Sequence, residues 1–250
     1  MFRNLLTARE GSAGFTRRLL AARRRVFVIL TGTLVLAGAF MASPTWSDAA
    51  AHGGGNVLPS TAQPFGWSLS RMTGALAFFT ISGNKPENYP DTPFQVLYYD
   101  PNTVRFEMVD GGLHITGSNT FTVRPSTSFF VPVFSVDDSP PIIGTWPTTH
   151  EQAVAYFFDP AQVGAKGLEI TVDGRTSPLG AAYLAGPVTT APLPDGGGTH
   201  ILTVGAFLSP LSPGQHTVSI SGGAFGAEIF PATGLAFVDE DISYTVTVQP

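Results

Sequence analysis

The chain has 250 residues, of which 43% are hydrophobic and 12% charged, and its lack of cysteine excludes disulfides, zinc–thiolate sites, iron–sulfur clusters and cysteine nucleophiles. Residues 1–50 hold seven basic and two acidic side chains, a net charge of +5, whereas residues 51–250 hold six basic and sixteen acidic ones, a net charge of −10. Because a strongly acidic domain repels phosphate backbones, nucleic acid is excluded as the expected partner.

The first 51 residues have the layout of an export signal. Three arginines at positions 23–25 precede the uncharged apolar stretch 26–42, and small residues follow. A basic region, an apolar region and a small-residue cleavage site in this order are typical of a secretory signal. We therefore predict that residues 1–51 are a signal peptide, that the mature chain begins between Ser43 and His52, and that the protein is secreted or bound to the cell surface.

The sequence leaves two properties of this segment open. The pair Arg24-Arg25 fits the twin-arginine export pathway, but a basic region of this kind also serves general secretion. The apolar stretch 26–42 reaches the lower length limit of a membrane helix, roughly 17 residues. An uncleaved segment would therefore anchor the protein in the membrane, and the membrane is expected as a partner only in that case.

Residues 52–64 are predicted to be a flexible linker, and residues 65–250 a single β-sandwich domain. The linker is rich in Gly, Ala, Ser and Pro. Beyond it, short segments of alternating apolar and polar residues recur between turn residues, as is typical of β-strands. One of them, 103–109, precedes the turn sequence Asp110-Gly111 and predicts a hairpin. The other segments are 121–124, 168–172, 200–204, 216–221 and 244–248.

Two segments depart from simple alternation. Residues 129–134 are apolar on both faces, which predicts a strand covered on both sides, and Pro132 within them predicts an edge position or a bulge. Residues 148–158 have helical spacing, with Thr148 and Glu151 as a capping box. The predicted fold is therefore all-β, an antiparallel two-sheet sandwich of the jelly-roll or Ig-like kind with about seven to ten strands and one short inserted helix near residues 149–158.

Three short motifs resemble those of secreted bacterial β-sandwich proteins. They are TFTVRPSTSFFVPV at 120–133, VDG at 172–174 and PLSPGQHTV at 210–218. They stand in the same order as V-P-A-G-x-x-x-F-F-P-V, V-D-G and P-L-x-P-G-x-H-x-V in that set of proteins. The resemblance covers about residues 119–226 and departs from the pattern where Ser126-Thr127 stands in place of Ala-Gly. It implies a secreted sandwich and brings no known activity with it.

Five acidic residues occupy two short segments and are predicted to bind calcium. Asp137 and Asp138 follow the apolar strand, and Asp239, Glu240 and Asp241 precede the last strand, where we expect loops. Clustered carboxylates on loops are typical ligands of calcium, the one cofactor that the sequence suggests. Two alternatives stay open: ordinary solvated turns, or a pair of carboxylates that acts as acid and base.

Histidine and serine residues offer candidates for catalysis without a recognisable motif. His216 shares its strand face with Val218 and Ile220, which favours a buried histidine bonded to a carbonyl over a ligand. The sequence contains no Gly-x-Ser-x-Gly. The candidate catalytic residues are therefore limited to Asp137, His150 and His216, and their convergence in one cleft would favour an enzyme.

Two functions of different classes remain open. The first is a non-catalytic extracellular binding or surface-associated module for a glycan, a surface polymer or another protein, and it needs no catalytic group. The second is a secreted hydrolase or lyase that acts on a polysaccharide or an ester through the clustered carboxylates and histidines. Tyr98 and Tyr99 are of a type that stacks on sugar rings, but neighbouring positions of a strand point to opposite faces, which disfavours a shared platform.

Overall fold

The computed structural model describes residues 56–140, 142, 144–194 and 196–250, so the predicted signal peptide and its cleavage region lie outside the described residues. Within these ranges, ten strands form two sheets and three α-helices accompany them. None of the helices in these ranges is both long and apolar enough to cross a membrane. The strands are β1 (Gln95–Val96), β2 (Arg105–Val109), β3 (Gly112–Val123), β4 (Phe129–Asp137), β5 (Ala165–Val172), β6 (Arg175–Pro178), β7 (Leu184–Thr189), β8 (His200–Leu208), β9 (Gly214–Ala224) and β10 (Val238–Val248), and the helices are α1 (Leu69–Ile81), α2 (His150–Phe158) and α3 (Ile229–Thr233).

The two packed sheets have mixed strand directions. One has the strand order β1-β4-β8-β7 and the other β2-β3-β10-β9-β5-β6. The pairs β1–β4 and β3–β10 are parallel, and the remaining pairs are antiparallel. The predicted all-β architecture of two sheets is confirmed, but the prediction of strictly antiparallel sheets is wrong. Because β3 and β10 are far apart in the chain, no hairpin turn forces them to run in opposite directions.

Two tight turns follow from residues that adopt a positive φ. Asp110 and Gly111, with φ of 49° and 79°, join β2 to β3, and Asp173 and Gly174, with the same two values, join β5 to β6. Positive φ at both central positions gives a two-residue hairpin turn whose twist matches that of the strands. The hairpin predicted around Asp110-Gly111 is confirmed.

The strand predicted to be covered on both sides is β4. Phe129, Phe130 and Val131 are consecutive, yet none is more than 1% exposed. The register of β4 against β8 shifts between Pro132 and Phe134, which confirms the predicted bulge. Proline lacks the N–H that a regular ladder requires, so the irregularity falls at this residue.

A helix that the sequence patterns did not predict covers the outer face of the four-stranded sheet. α1 packs against β7 and β8, and Ala77 and Ile81 form a small second core with Leu193 and Ile201. As a result, β8 is buried on both faces from Ile201 to Leu208. The prediction of a single helix is therefore wrong. The sequence patterns missed α1 because it carries apolar residues on several sides and has no distinct polar stripe.

The predicted helix is present as α2, with its cap shifted by one residue. Thr149 is the N-cap, and its hydroxyl accepts a hydrogen bond from Gln152 N at 3.2 Å. The Gln152 side chain accepts in return from Thr148 N at 2.9 Å. Two overlapping capping sequences, Thr148 with Glu151 and Thr149 with Gln152, stand at this point, and the second one forms the cap.

Part of the predicted linker is held against the sandwich. Leu58 N donates to Phe207 O at 2.9 Å, and Ser209 N donates to Asn56 O at 2.9 Å. The Tyr183 hydroxyl donates to Leu58 O at 3.1 Å. Residues 56–58 therefore lie beside the end of β8 instead of forming a free tether.

Candidate functional site

A cavity of about 100 Å³ lies between the two sheets and is partly open to solvent. Its walls come from β4 of one sheet and from β2, β3, β9 and β10 of the other, and α1 and residues 97–99 also contribute. Six aromatic side chains line it: Phe79, Tyr98, Tyr99, Phe106, Phe134 and Tyr244. The cavity is therefore apolar and aromatic over most of its surface.

The alternation of β10 places Glu240 in this cavity. Glu240, Ile242 and Tyr244 share one face of the strand, and Ile242 and Tyr244 are each 1% exposed, so this face is the inner one. Asp239 and Asp241 lie on the opposite face. The Asp241 side chain is 64% exposed, in agreement with that placement.

Tyr98 and Tyr99 both line the cavity, contrary to the prediction that they face opposite ways. The chain leaves β1 after Val96 and crosses between the sheets, so strand alternation does not apply here. Leu97 N donates to Phe130 O of β4 at 3.0 Å, and Asp100 N donates to Ser118 O of β3 at 2.9 Å. These two bonds fix the ends of the crossing segment that carries the tyrosines.

Edge-on ring contacts hold the aromatic wall together. Phe79 of α1 contacts Tyr98 with 4.9 Å between ring centroids, and Tyr98 contacts Phe121 of β3 at 5.5 Å. Phe121 in turn contacts Tyr244 of β10 at 6.2 Å. Such tilted contacts are favourable beyond simple burial, and they restrict the orientation of each ring.

A glycine allows Tyr99 to lie over β3. A Cβ atom at Gly117 would lie 3.2 Å from the Cβ of Tyr99 and 3.3 Å from Cδ1 of Ile242. Any larger residue at position 117 would press on both neighbours, because 3.2 Å is shorter than an ordinary carbon–carbon contact. The small residue at this position thus keeps the tyrosine wall close to the sheet.

The electrostatics of the cavity are dominated by one carboxyl group. Burial, together with the negative charges of Asp241 and Asp239, raises the pKa of Glu240 from 4.5 to about 8. Burial also raises the pKa of Tyr99 and of Tyr244, with a contribution from Glu240. Among the described residues that line the cavity, none is Lys, Arg or His. Glu240 therefore lacks a basic partner in its own cavity.

The first predicted calcium pair is bound up in local hydrogen bonds. Asp138 accepts from Thr199 N at 2.6 Å and from His200 N at 2.7 Å, and its second oxygen lies 2.7 Å from His200 Nδ1. Asp137 Oδ1 accepts from Ser139 N at 2.8 Å. Both carboxylates thus accept hydrogen bonds from backbone N–H groups near the end of β4, as aspartates in turns commonly do.

The second predicted calcium group lies inside β10, so the expectation of a loop is wrong. Asp239 lies 3.0 Å from His114 Nδ1 on the neighbouring strand β3, while Glu240 faces the cavity and Asp241 faces solvent. Strand alternation thus separates the carboxyl group of Glu240 from those of Asp239 and Asp241, which share the outer face near His114. In the described part of the chain, no group of three or more His, Cys, Asp or Glu side chains is placed to hold a metal ion. Calcium binding stays a prediction.

His216 takes the place that its strand pattern predicts, bonded to a carbonyl. Its Nε2 lies 2.8 Å from Ser212 O, and its Nδ1 lies 2.7 Å from Asp173 Oδ2. Because a carbonyl and a carboxylate oxygen both accept, this pair of contacts favours the ring form in which both nitrogens donate, which is the charged form. The hydrogen bond to Asp173 accordingly raises the pKa of His216 and lowers that of Asp173.

The group Ser212, His216 and Asp173 resembles a hydrolytic triad only in composition. The Ser212 hydroxyl lies 3.4 Å from His216 Nε2, farther than the carbonyl of the same residue. A general base needs a free lone pair on that nitrogen to take the serine proton, but the nitrogen donates to the carbonyl instead. This arrangement stabilises a turn and does not activate a nucleophile.

The three candidate catalytic residues do not converge. β3 ends and β4 begins at the same end of the sandwich, because only five residues connect them. β10 is parallel to β3 and therefore also ends there. β9 is antiparallel to β10, so β9 begins at this end. His216, near the start of β9, and Asp137, at the end of β4, therefore lie at opposite ends. His150 Nδ1 lies 3.2 Å from Gly186 O of β7. Asp137, His150 and His216 thus do not share one cleft, the arrangement that would favour an enzyme.

Comparison with known proteins adds no family. No protein family matches the sequence, and no curated protein matches it. A search of solved structures returns the solution structure of amebosin, with 12% sequence identity over 54% of this chain and 96% of that chain, and a TM-score of 0.19. A TM-score this low carries no argument, so any function has to rest on the geometry of the cavity.

One sequence pattern indicated the inward position of Glu240, but the neighbouring acidic residues favoured a different interpretation. Val238, Glu240, Ile242 and Tyr244 alternate as one strand face, and a single acid in an otherwise apolar face marks a buried carboxyl. The run of three acids suggested a loop instead. Tyr98 and Tyr99 had no such signal, since their common side depends on where β1 ends.

Proposed function

We propose that the protein is an exported, non-catalytic binding module and that the cavity between its sheets is its ligand site. The observation that carries this proposal is the cavity itself, where six aromatic side chains surround one carboxyl group. Ligand sites are mostly apolar concave surfaces with a few polar groups that set orientation. The cavity has this composition, and a solvent-accessible side through which a ligand can enter.

The volume of the cavity limits the size of the group that can bind in it. An apolar cavity of about 150 Å³ accepts benzene, so about 100 Å³ accepts a slightly smaller molecule or one end of a larger one. The bound group can belong to a free small molecule. It can also be carried by the glycan, surface polymer or protein that the sequence suggested as partners.

The strand order supports an Ig-like sandwich over a jelly roll. Ig-like domains place strands B, E and D in one sheet and G, F and C in the other, and variable-type domains add C′ beside C. Here β4-β8-β7 and β10-β9-β5-β6 follow those two orders in the same chain sequence. The parallel pairing of β3 with β10 is an addition to that pattern.

The predicted signal at residues 1–51 and the resemblance of residues 119–226 to secreted bacterial proteins support an extracellular location. The alternative of a secreted hydrolase or lyase has no observation in its favour among the described residues. Its three candidate residues lie apart, and the nitrogen of His216 that would act as a base donates to a carbonyl.

A cavity-filling substitution tests the proposed site. Val238 lines the cavity, and Val238→Phe adds a ring to it, whereas Val109→Phe adds the same ring at a position that is 42% exposed. Small soluble organic compounds at millimolar concentration are titrated into each protein, and the chemical shifts of the Tyr98, Tyr99 and Tyr244 ring protons are followed. We expect shifts in the parent protein and in Val109→Phe and none in Val238→Phe.

The same titration can contradict the proposal. If no compound shifts the tyrosine signals, the cavity is not a ligand site. Equal binding by folded Val238→Phe would place the binding elsewhere. Circular dichroism and thermal melting confirm that each variant is folded.

A further inference from the structure

Within the ranges that the structure describes, Glu240 differs from three other acidic residues on strands and turns in having no histidine beside it. Asp138, Asp173 and Asp239 each lie 2.7–3.0 Å from a histidine nitrogen. Among the described residues, none donates a hydrogen bond to the Glu240 side chain. A carboxylate that faces an apolar cavity without a donor or cation is costly, so it marks a place where a ligand supplies one.

The rest of the cavity wall matches the same kind of ligand. Aromatic rings present a negative face that attracts a cation, and clusters of them are a common device for binding quaternary ammonium groups. Tyr98, Tyr99 and Tyr244 lie on the wall with Glu240, and Phe79, Phe106 and Phe134 complete it. The rings and the carboxylate attract the same charge.

On these grounds we propose that the cavity binds a small organic cation, an alkylammonium group, with Glu240 as its counter-ion and the aromatic rings as its cage. This inference rests on the proposed function, because it names the ligand class of that same site. An anionic ligand would be repelled by Glu240 and by its neighbours Asp239 and Asp241. A calcium ion would find one carboxylate in the cavity, where it needs six or more oxygen ligands.

The binding should depend on pH in one direction. The titratable groups that face Glu240 are Tyr98, Tyr99 and Tyr244 from the wall, and Asp239 and Asp241 adjoin it on β10. Since the pKa of Glu240 is raised to about 8, the empty cavity holds a neutral carboxyl group at lower pH. A cation binds the ionised form, so its affinity should rise with pH until about pH 8 and then level off, and binding at lower pH should release a proton.

Two probes of similar shape distinguish binding through positive charge from binding through size alone. Tetramethylammonium carries a permanent positive charge, and tert-butanol is a neutral molecule with the same number of non-hydrogen atoms. Both are titrated into the parent protein, into Glu240→Gln and into the matched control Asp241→Asn, and the tyrosine ring shifts report binding. We expect the parent protein and Asp241→Asn to bind tetramethylammonium at least about tenfold more tightly than tert-butanol, and Glu240→Gln to lose that preference.

The outcomes distinguish this inference from the proposed function. If tert-butanol binds as tightly as tetramethylammonium, or if Glu240→Gln keeps the preference for the cation, the ligand is not a cation and only the proposed cavity site stands. If neither probe binds and the compound titration with Val238→Phe also shows nothing, both ideas fail. An affinity for tetramethylammonium that does not rise between about pH 6 and pH 8 would also overturn the role of Glu240.

Discussion

The substitution Glu240→Gln should stabilise the protein at alkaline pH and leave it unchanged at acidic pH. Glutamine has the shape of the protonated acid but cannot ionise, so it removes only the cost of placing a charge in the cavity. Below about pH 4.5 the carboxyl group is neutral in both the folded and the unfolded chain, and the two proteins should be equally stable.

The magnitude follows from the interval over which the two states differ in protonation. Between pH 4.5 and about 8 the unfolded carboxyl group is ionised while the folded one keeps its proton, so the stability of the parent protein falls as the pH rises. At about 1.4 kcal/mol per pH unit, the interval corresponds to at most about 5 kcal/mol. Glu240 is partly accessible to water, which lowers the cost, and we expect roughly 2–3 kcal/mol.

Urea unfolding at about pH 4, 6 and 9 measures this difference, with Asp241→Asn as the control for loss of a neighbouring charge on the same strand. The difference between Glu240→Gln and the parent protein should grow from nothing to its full value over this range, while the m-value stays constant. Equal stability of the two proteins at about pH 9 would refute the reasoning, because it would mean that the Glu240 charge is fully solvated in the folded state.

Three further predictions address the remaining elements. His216→Ala should lower the free energy of unfolding by about 1–2 kcal/mol at about pH 5.5 and by less at pH 9. The reason is that a raised histidine pKa stabilises the fold below 6.5, and this contribution is lost as the pH rises through the folded pKa. Urea unfolding measures the difference, and Ser212→Ala, which keeps the carbonyl, is the control. Gly223→Ala should destabilise by about 1–3 kcal/mol, since its Cβ would lie 2.6 Å from Asp239 Cα on the adjacent strand, and an unchanged Tm would contradict that contact. If calcium binds at the two predicted acidic segments, Tm should be several degrees higher in millimolar calcium than in chelator, and an unchanged Tm would mean that these carboxylates bind no calcium.

Much of the local structure is encoded within a few residues of each position. The turns at Asp110-Gly111 and Asp173-Gly174 need positive φ at both positions, and the residues present adopt it readily. Pro132 interrupts the β4 ladder because it has no N–H, wherever the strand lies. These features could be predicted because their cause is local.

Placement between elements could not be predicted in the same way. α1 has no distinct polar stripe, so its own residues do not show which of its faces packs on a sheet. The parallel pairing of β3 with β10 places His114 beside Asp239, and the acidic run that suggested a loop is instead held inside a strand. Both facts depend on which strands become neighbours.

The sequence by itself determined an all-β chain with tight turns, a bulge, one capped helix and a His216 bonded to a carbonyl, since each of these follows from the periodicity or the conformational preference of neighbouring residues. The cavity was decided only by the tertiary structure. Phe79 from α1, Tyr98 and Tyr99 from the crossing segment, and Glu240 from β10 are distant in the chain, and long-range packing alone brings them to one place. A carboxyl group acquires its raised pKa from that packing, because the loss of water around it depends on every wall of the cavity.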